Sequence, residues 1–186
     1  ITASPSITPT RTPTPTPSKS SPNSVPCTGT GNLPLPGNSV TYNGVTITVS
    51  GTGNISLYPN AWASCNTTTP ANTAWLGLSG AFTYILTFSQ PVNNIRIPIT
   101  GLSTDFDENI FEIFTFTTSG GTPTITSPNN CFSAITGNQI SSNGTEDTNN
   151  GGGLFTISSP SPFNILTITG QGGSGGSLFG IDCTSI

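Results

Sequence analysis

The residues that chemistry would need are few. Seven carboxylates, Asp105, Asp107, Glu108, Glu112, Glu146, Asp147 and Asp182, stand against three cations, Arg11, Lys19 and Arg96, and there is no histidine. Without histidine, Ser-His-Asp and Cys-His nucleophilic constellations are closed. Lys19, the single lysine, lies in an N-terminal Thr/Pro segment, so the body of the chain has no amine for Ser-Lys or Schiff-base chemistry. Two carboxylates would suffice for glycoside hydrolysis. These acids, however, cluster in two Gly/Asn-rich turns and read as solvated loop tips. The expectation is a protein that is not an enzyme and uses no cofactor.

Binding chemistry has more to work with. Asp105, Asp107, Glu108 and Asn109 place several oxygens in one turn, and a hard cation such as Ca²⁺ takes such ligands. The spacing departs from an EF-hand, because the D-x-D lacks the following glycine and the distal Glu. The preferred reading is therefore an acidic surface turn without metal. Trp62, Trp75, Tyr58 and Tyr42 offer rings for sugar stacking, as in carbohydrate-binding modules. Trp62 and Trp75 fall within one predicted loop, 59–80, and the preferred reading is that they cover an end of the sandwich or bury under the tail. The glycine runs 151–153 and 172–176 lack the P-loop lysine and any following helix, and are predicted to be turns.

Four cysteines, Cys27, Cys65, Cys131 and Cys183, are widely spaced, form no C-x-x-C pair and have no histidine to complete a zinc site. Two disulfides and an oxidising, extracellular setting follow. Three connectivities are possible. Cys27–Cys183, tying the ends of the domain, with Cys65–Cys131, joining two long loops, is the preferred one. Methionine is absent, and the chain is expected to be a processed form or a segment of a longer protein.

The scaffold that must hold these groups is all β. Charged residues are only 5%, against about a quarter in an ordinary soluble domain. Thr, Ser, Asn and Gly take their place, a composition suited to strands and turns. Only Arg96 lies outside the tail among the basic residues, so phosphates cannot be neutralised and nucleic acid is excluded as a partner. No apolar run approaches the roughly 18 residues of a membrane span.

Tyr84 to Gly101 is the organising stretch. Tyr84, Leu86 and Phe88 alternate with Ile85 and Thr87; after Gln90-Pro91, Ile95, Ile97 and Ile99 alternate with Asn94, Arg96 and Pro98. That period of two marks half-buried strands. Leu154 to Gly170 repeats the plan, since PVNNIRIPITG and PFNILTITG share proline, an apolar residue, Asn and alternating Ile. The two stretches are read as related hairpins at the centre of one sandwich. Ile97 and Ile168 are expected to be buried, with Arg96 and Thr167 facing the other way. Asn43-Gly44 predicts a tight turn inside 40–50. In 110–118, Phe111 and Ile113, and less clearly Phe114 and Phe116, contend for the core. The fold expected is a single antiparallel β-sandwich, jelly-roll or Ig-like, of about ten short strands over residues 27–186.

Residues 1–26 form a separate segment. Pro alternates with Thr or Ser, and each Pro fixes φ and biases its predecessor to extended geometry, which gives a polyproline II-like connector or linker. Thr10, Thr12, Thr14 and Thr16 are candidates for O-linked sugar. Sequons at Asn54, Asn66 and Asn143 are candidates for N-linked sugar. The TPTPTPS motif followed by a Thr/Asn/Gly-rich, nearly uncharged β-domain resembles surface-fibre proteins of the phage-appendage, bacterial-adhesin and microbial-filament type. The resemblance implies a structural or adhesive role outside the cell or on a virion surface. The first expectation is a glycosylated fibre subunit, joined to copies of itself through the N-terminal segment with Ile7 as anchor. The alternative is a carbohydrate-binding or adhesive module on a Thr/Pro-rich stalk.

Overall fold

The structure is a computed structural model and describes residues 27–105, 109–144, 148–171 and 175–186. Thr-rich segments alternating with Val, Ile and Phe become strands almost everywhere. The first is β1 (Thr30–Asn32). Next, β2 (Ser39–Tyr42) and β3 (Val45–Gly53) form a hairpin on Asn43-Gly44, whose φ angles of 49° and 84° are those of the turn that Asn-Gly predicts. Then come β4 (Ile55–Tyr58), β5 (Trp62–Ser64), β6 (Thr67–Thr69) and β7 (Thr73–Leu76). The span 59–80, expected as a loop, thus holds three strands. The long pair β8 (Phe82–Val92) and β9 (Ile95–Asp105) follows, then β10 (Ile110–Phe111) and β11 (Ile113–Thr118) on either side of Glu112. Three short strands, β12 (Thr124–Thr126), β13 (Ser133–Thr136) and β14 (Gln139–Ser142), lead to β15 (Thr148–Ser158), β16 (Phe163–Gly170) and β17 (Ser177–Asp182). Among the described residues there are seventeen strands where about ten were expected, because several run only two to four residues inside segments read as turns.

These strands make two facing antiparallel sheets. One has the order β12-β15-β9-β17-β7-β4, with β1 on β17 and β10 on β9; the other has the order β13-β14-β11-β16-β8-β3-β2; β5 and β6 pair only with each other. The β-sandwich is as expected, but its centre is built differently. β8 and β9 do not pair. β8 lies in the second sheet between β16 and β3, and β9 in the first between β15 and β17. β15 and β16 divide in the same way. Each supposed hairpin is an arch that crosses from one sheet to the other, and the two arches pair strand for strand, Phe155 opposite Ile97 and Ile168 opposite Tyr84. The corner falls at Asn93-Asn94, not at Pro91, which sits inside β8 where its register with β16 is interrupted.

Inward-facing residues from both sheets meet as the alternation requires. Tyr84, Leu86 and Phe88 face Ile95, Ile97 and Ile99 across the core, together with Ile47, Phe155, Ile168 and Phe179. Phe114 of β11 and Phe179 of β17 touch edge to face across the sheets, with centroids 5.1 Å apart. In 110–118 the core residues are Phe114 and Phe116. Ile113 is exposed and Phe111 only half-buried, because the chain changes sheets at Glu112 and resets which parity points inward. The 151–153 glycines are not a turn but the middle of β15. A Cβ on Gly152 would lie 2.1 Å from the Ile99 carbonyl oxygen, so the backbone comes closer here than a side chain would allow. No helix of the described residues is long and apolar enough to cross a membrane.

Tyr84 is wholly buried, and its hydroxyl donates to the Pro34 carbonyl at 2.6 Å. Burial pushes its phenol well above the ordinary value of 10.0. The folded state therefore holds the neutral phenol where the unfolded chain would ionise it. The stability this contributes is complete below about pH 10 and is lost as pH rises beyond it. Ultraviolet titration should show Tyr84 ionising only together with unfolding. Tyr84→Phe should cost about 1 kcal/mol at neutral pH and flatten the alkaline loss. Reversible ionisation of all three tyrosines in the folded protein would contradict this.

Candidate binding cleft

Tyr58, Trp62 and Trp75 come together on the outer face of the sheet that contains β9. Strand pairing puts Ser56 opposite Trp75, Trp75 opposite Leu178, and Leu178 opposite Thr100, a cross-strand row on one face. Ala74, Leu76 and Phe179, the alternate residues, point into the core. The β5–β6 hairpin lies over this outer face, and the Thr69 and Thr100 hydroxyls meet beneath it at 2.6 Å. Pro98 and Thr100 are buried as a result, although they face away from the core.

The hairpin turns at Cys65-Asn66, both at positive φ (53° and 55°), and its ties are specific. Cys65 is bonded to Cys131, the Ser64 hydroxyl donates to the Gly151 carbonyl at 3.0 Å, and the Asn129 amide donates to the Cys65 carbonyl at 3.2 Å. Cys131 in turn exchanges backbone hydrogen bonds with Gly152, at 3.0 and 3.1 Å. The disulfide thus fixes the hairpin against β15, and the hairpin carries Trp62 to the mouth of the cleft. The other disulfide, Cys27–Cys183, joins the ends of the described chain. Both pairings are the preferred ones.

The result is an open cleft of about 310 Å³. Tyr58 stands edge-on to both indoles, with centroids 5.9 Å from Trp62 and 5.3 Å from Trp75. Leu78 and Leu178 complete the apolar part, and Gly101, Gly175 and Gly176 form a wall of bare backbone. The wall is fitted to Trp75, whose indole N–H donates to the Gly175 carbonyl at 2.9 Å. Gly176 has φ +67°, and a Cβ there would lie 2.7 Å from the indole nitrogen. All three rings are half-buried.

Glu112 sits directly behind this wall. It is fully buried, not a loop tip, at the crossover from β10 to β11. Its Oε2 accepts from the Ser103 N–H at 2.8 Å and the Ser177 hydroxyl at 2.6 Å, and Ser177 follows Gly176. The Glu112 N–H donates to Ser142 Oγ at 3.0 Å, and its carbonyl accepts from the Ser142 N–H at 2.9 Å. A buried carboxyl is tolerable only with such donors. Asp182 is not a free loop acid either. It lies 2.8 Å from Arg96 and accepts from Thr184 N–H at 2.9 Å.

The remaining predicted residues are scattered. Tyr42 is not in the cleft. Its hydroxyl lies 2.6 Å from Asn32 Oδ1, and burial raises its pKa, opposed by a hydrogen bond with the Asn32 backbone. Asp105 and Asn109 flank the acidic turn, whose Asp107 and Glu108 lie outside the described residues, as do Glu146 and Asp147. Among the described residues no group of three or more His, Cys, Asp or Glu is placed to hold a metal. Asn54, Asn66 and Asn143 are all exposed, while Ile7, Thr10, Thr12, Thr14 and Thr16 lie outside the described residues. Sequence reasoning missed Glu112 and the glycine wall. The one signal was an acid embedded in an apolar strand, IFEIF. No protein-family model, curated protein or solved structure matches this chain.

Glu112→Ala would leave the buried Ser103 N–H and Ser177 hydroxyl without this acceptor, at about 1–3 kcal/mol for each. Urea unfolding should show that loss, and tryptophan emission should shift as the glycine wall relaxes. Glu112→Gln keeps an acceptor oxygen and should recover part of both. An Ala variant as stable as the parent would show that the carboxyl does not brace the wall.

Proposed function

We propose that this protein is a non-enzymatic, extracellular carbohydrate-binding or adhesive module carried on a Thr/Pro-rich stalk. The observation that carries this reading is the cleft itself, three aromatic rings grouped on an outer sheet face beside glycine backbone. Aromatic groups that remain half-exposed around a concavity supply large contact area at little conformational cost. The axial C–H face of a pyranose packs on such rings, while its hydroxyls need polar partners, for which the glycine wall offers peptide groups. Two disulfides fit an oxidising compartment.

A glycan array followed by titration calorimetry tests the proposal. A bound oligosaccharide should quench tryptophan emission, and Trp62→Ala should weaken it by about tenfold or more with little change in melting temperature. The reading fails if no glycan binds, or if Trp62→Ala leaves binding unchanged.

A second reading, a fibre subunit assembled through residues 1–26, is favoured by a separate observation. Among the described residues neither sheet closes, and β4 and β12 in one and β2 and β13 in the other stand at the ends of the strand order. Open edges invite an added strand. β4 also carries Leu57 with 40% of its surface exposed. Deletion of residues 1–26 should leave a folded monomer that forms no filaments. Identical filaments from the truncated chain would rule out strand donation.

A further inference from the structure

The electrostatics of the cleft narrow what it takes. Resting on the carbohydrate reading above, we infer that the cleft selects uncharged pyranose units and rejects acidic glycans such as uronic-acid chains. The groups that meet a ligand are the rings of Tyr58, Trp62 and Trp75, the aliphatic Leu78 and Leu178, and glycine backbone. None of these carries a charge.

The domain is negative overall. The tail holds Arg11 and Lys19 and no acid, so the net charge of −4 divides into +2 for residues 1–26 and −6 for residues 27–186. Arg96 is the only cation of the second part. Its guanidinium is engaged, 2.8 Å from Asp182 and donating to Thr184 Oγ1 at 2.6 Å. It also lies five residues along β9 from Gly101, roughly 16 Å away. An acid stands on the other side of the wall, where the Glu112 carboxyl is hydrogen-bonded to Ser177, the residue between Gly176 and Leu178 of the lining.

An acidic sugar entering this cleft would give up hydration to apolar rings and find no cation among the described lining residues to replace it. It would also approach a domain of its own sign, and like-charge juxtaposition is a strong selector against wrong partners. A neutral pyranose meets no such penalty. A volume of about 310 Å³ is at the small end of ligand sites and suits one or two rings. Equatorial substitution leaves both ring faces lined by C–H groups, which suits packing against a half-exposed aromatic ring.

Matched oligosaccharides that differ only in charge test the inference on the full chain. The pairs are cellotetraose with β-1,4-linked tetraglucuronate, and β-1,4-mannotetraose with tetramannuronate, titrated at low and high sodium chloride. At least one neutral member should bind about tenfold or more tightly than its acidic partner at low salt. Its affinity should change less than about twofold as salt rises, since no charge pair is there to be screened. Trp62→Ala should weaken the neutral binding by about tenfold or more. An acidic member that binds as tightly as its neutral partner overturns the selectivity and leaves the carbohydrate reading intact. Neutral binding left unchanged by Trp62→Ala overturns the assignment to this cleft. If no member of either pair binds, the selectivity falls; if the glycan array is also empty, the carbohydrate reading falls with it.

Discussion

Two arch corners, hydrogen-bonded to each other, set the geometry of the rest. The Asn93 side chain donates to the Ser159 carbonyl and accepts from the Ser159 N–H, both at 2.8 Å, so one amide completes both halves of a backbone pair across the corners. Ser158 adds a hydrogen bond to Asn94 Oδ1 at 2.7 Å. Because the two arches meet here, β8 runs beside β16 in one sheet while β9 runs beside β15 in the other. Each sheet receives its longest strand from this single arrangement. The core follows, since Ile97 and Phe155 line one side and Tyr84 and Ile168 the other.

The cleft depends on the same frame through a different set of ties. β9 has its inner face in the core, and its outer face is covered by a hairpin too short to be stable alone. What keeps that hairpin in place is the Cys65–Cys131 bond and the closeness of the Gly151–Gly153 backbone. Glycine in the middle of a strand weakens it; here it lets the Cys131 segment lie against β15. The domain thereby gives up strand propensity in β15 to position Trp62. Glu112 plays the corresponding part on the other side of the cleft, joining β9, β14 and β17 through serine partners where the chain passes between sheets.

Little charge is available to this fold, and its polar groups are satisfied by amides and hydroxyls instead. Asn93, Asn129 and Asn138 each hydrogen-bond backbone groups that strand pairing leaves over. Thr69, Thr73 and Thr100 are buried with hydroxyl partners or carbonyls. The same composition shapes the cleft, whose rings stand beside backbone rather than beside charged side chains.

Sequence alone determined the β class, the alternation of β8, the inward faces of β9 and β16 and the Asn43-Gly44 hairpin, and it favoured one of three cysteine pairings. Alternation with a period of two states which side chains share a face, and Asn-Gly states a backbone conformation; both are local facts. What lay beyond it was partner choice. An arch and a hairpin have the same alternation and the same corner residues, so Tyr84 to Gly101 read equally well as either, and only burial of two facing sheets separated β8 from β9. Trp62 and Trp75 had the right chemistry but were assigned to a loop, because strands of three or four residues carry too few positions for a period. Glu112 looked like a surface acid until the crossover at that residue enclosed it. Tertiary structure decided these points because each is a relation between segments distant in the chain, and no stretch of sequence encodes its neighbour across the fold.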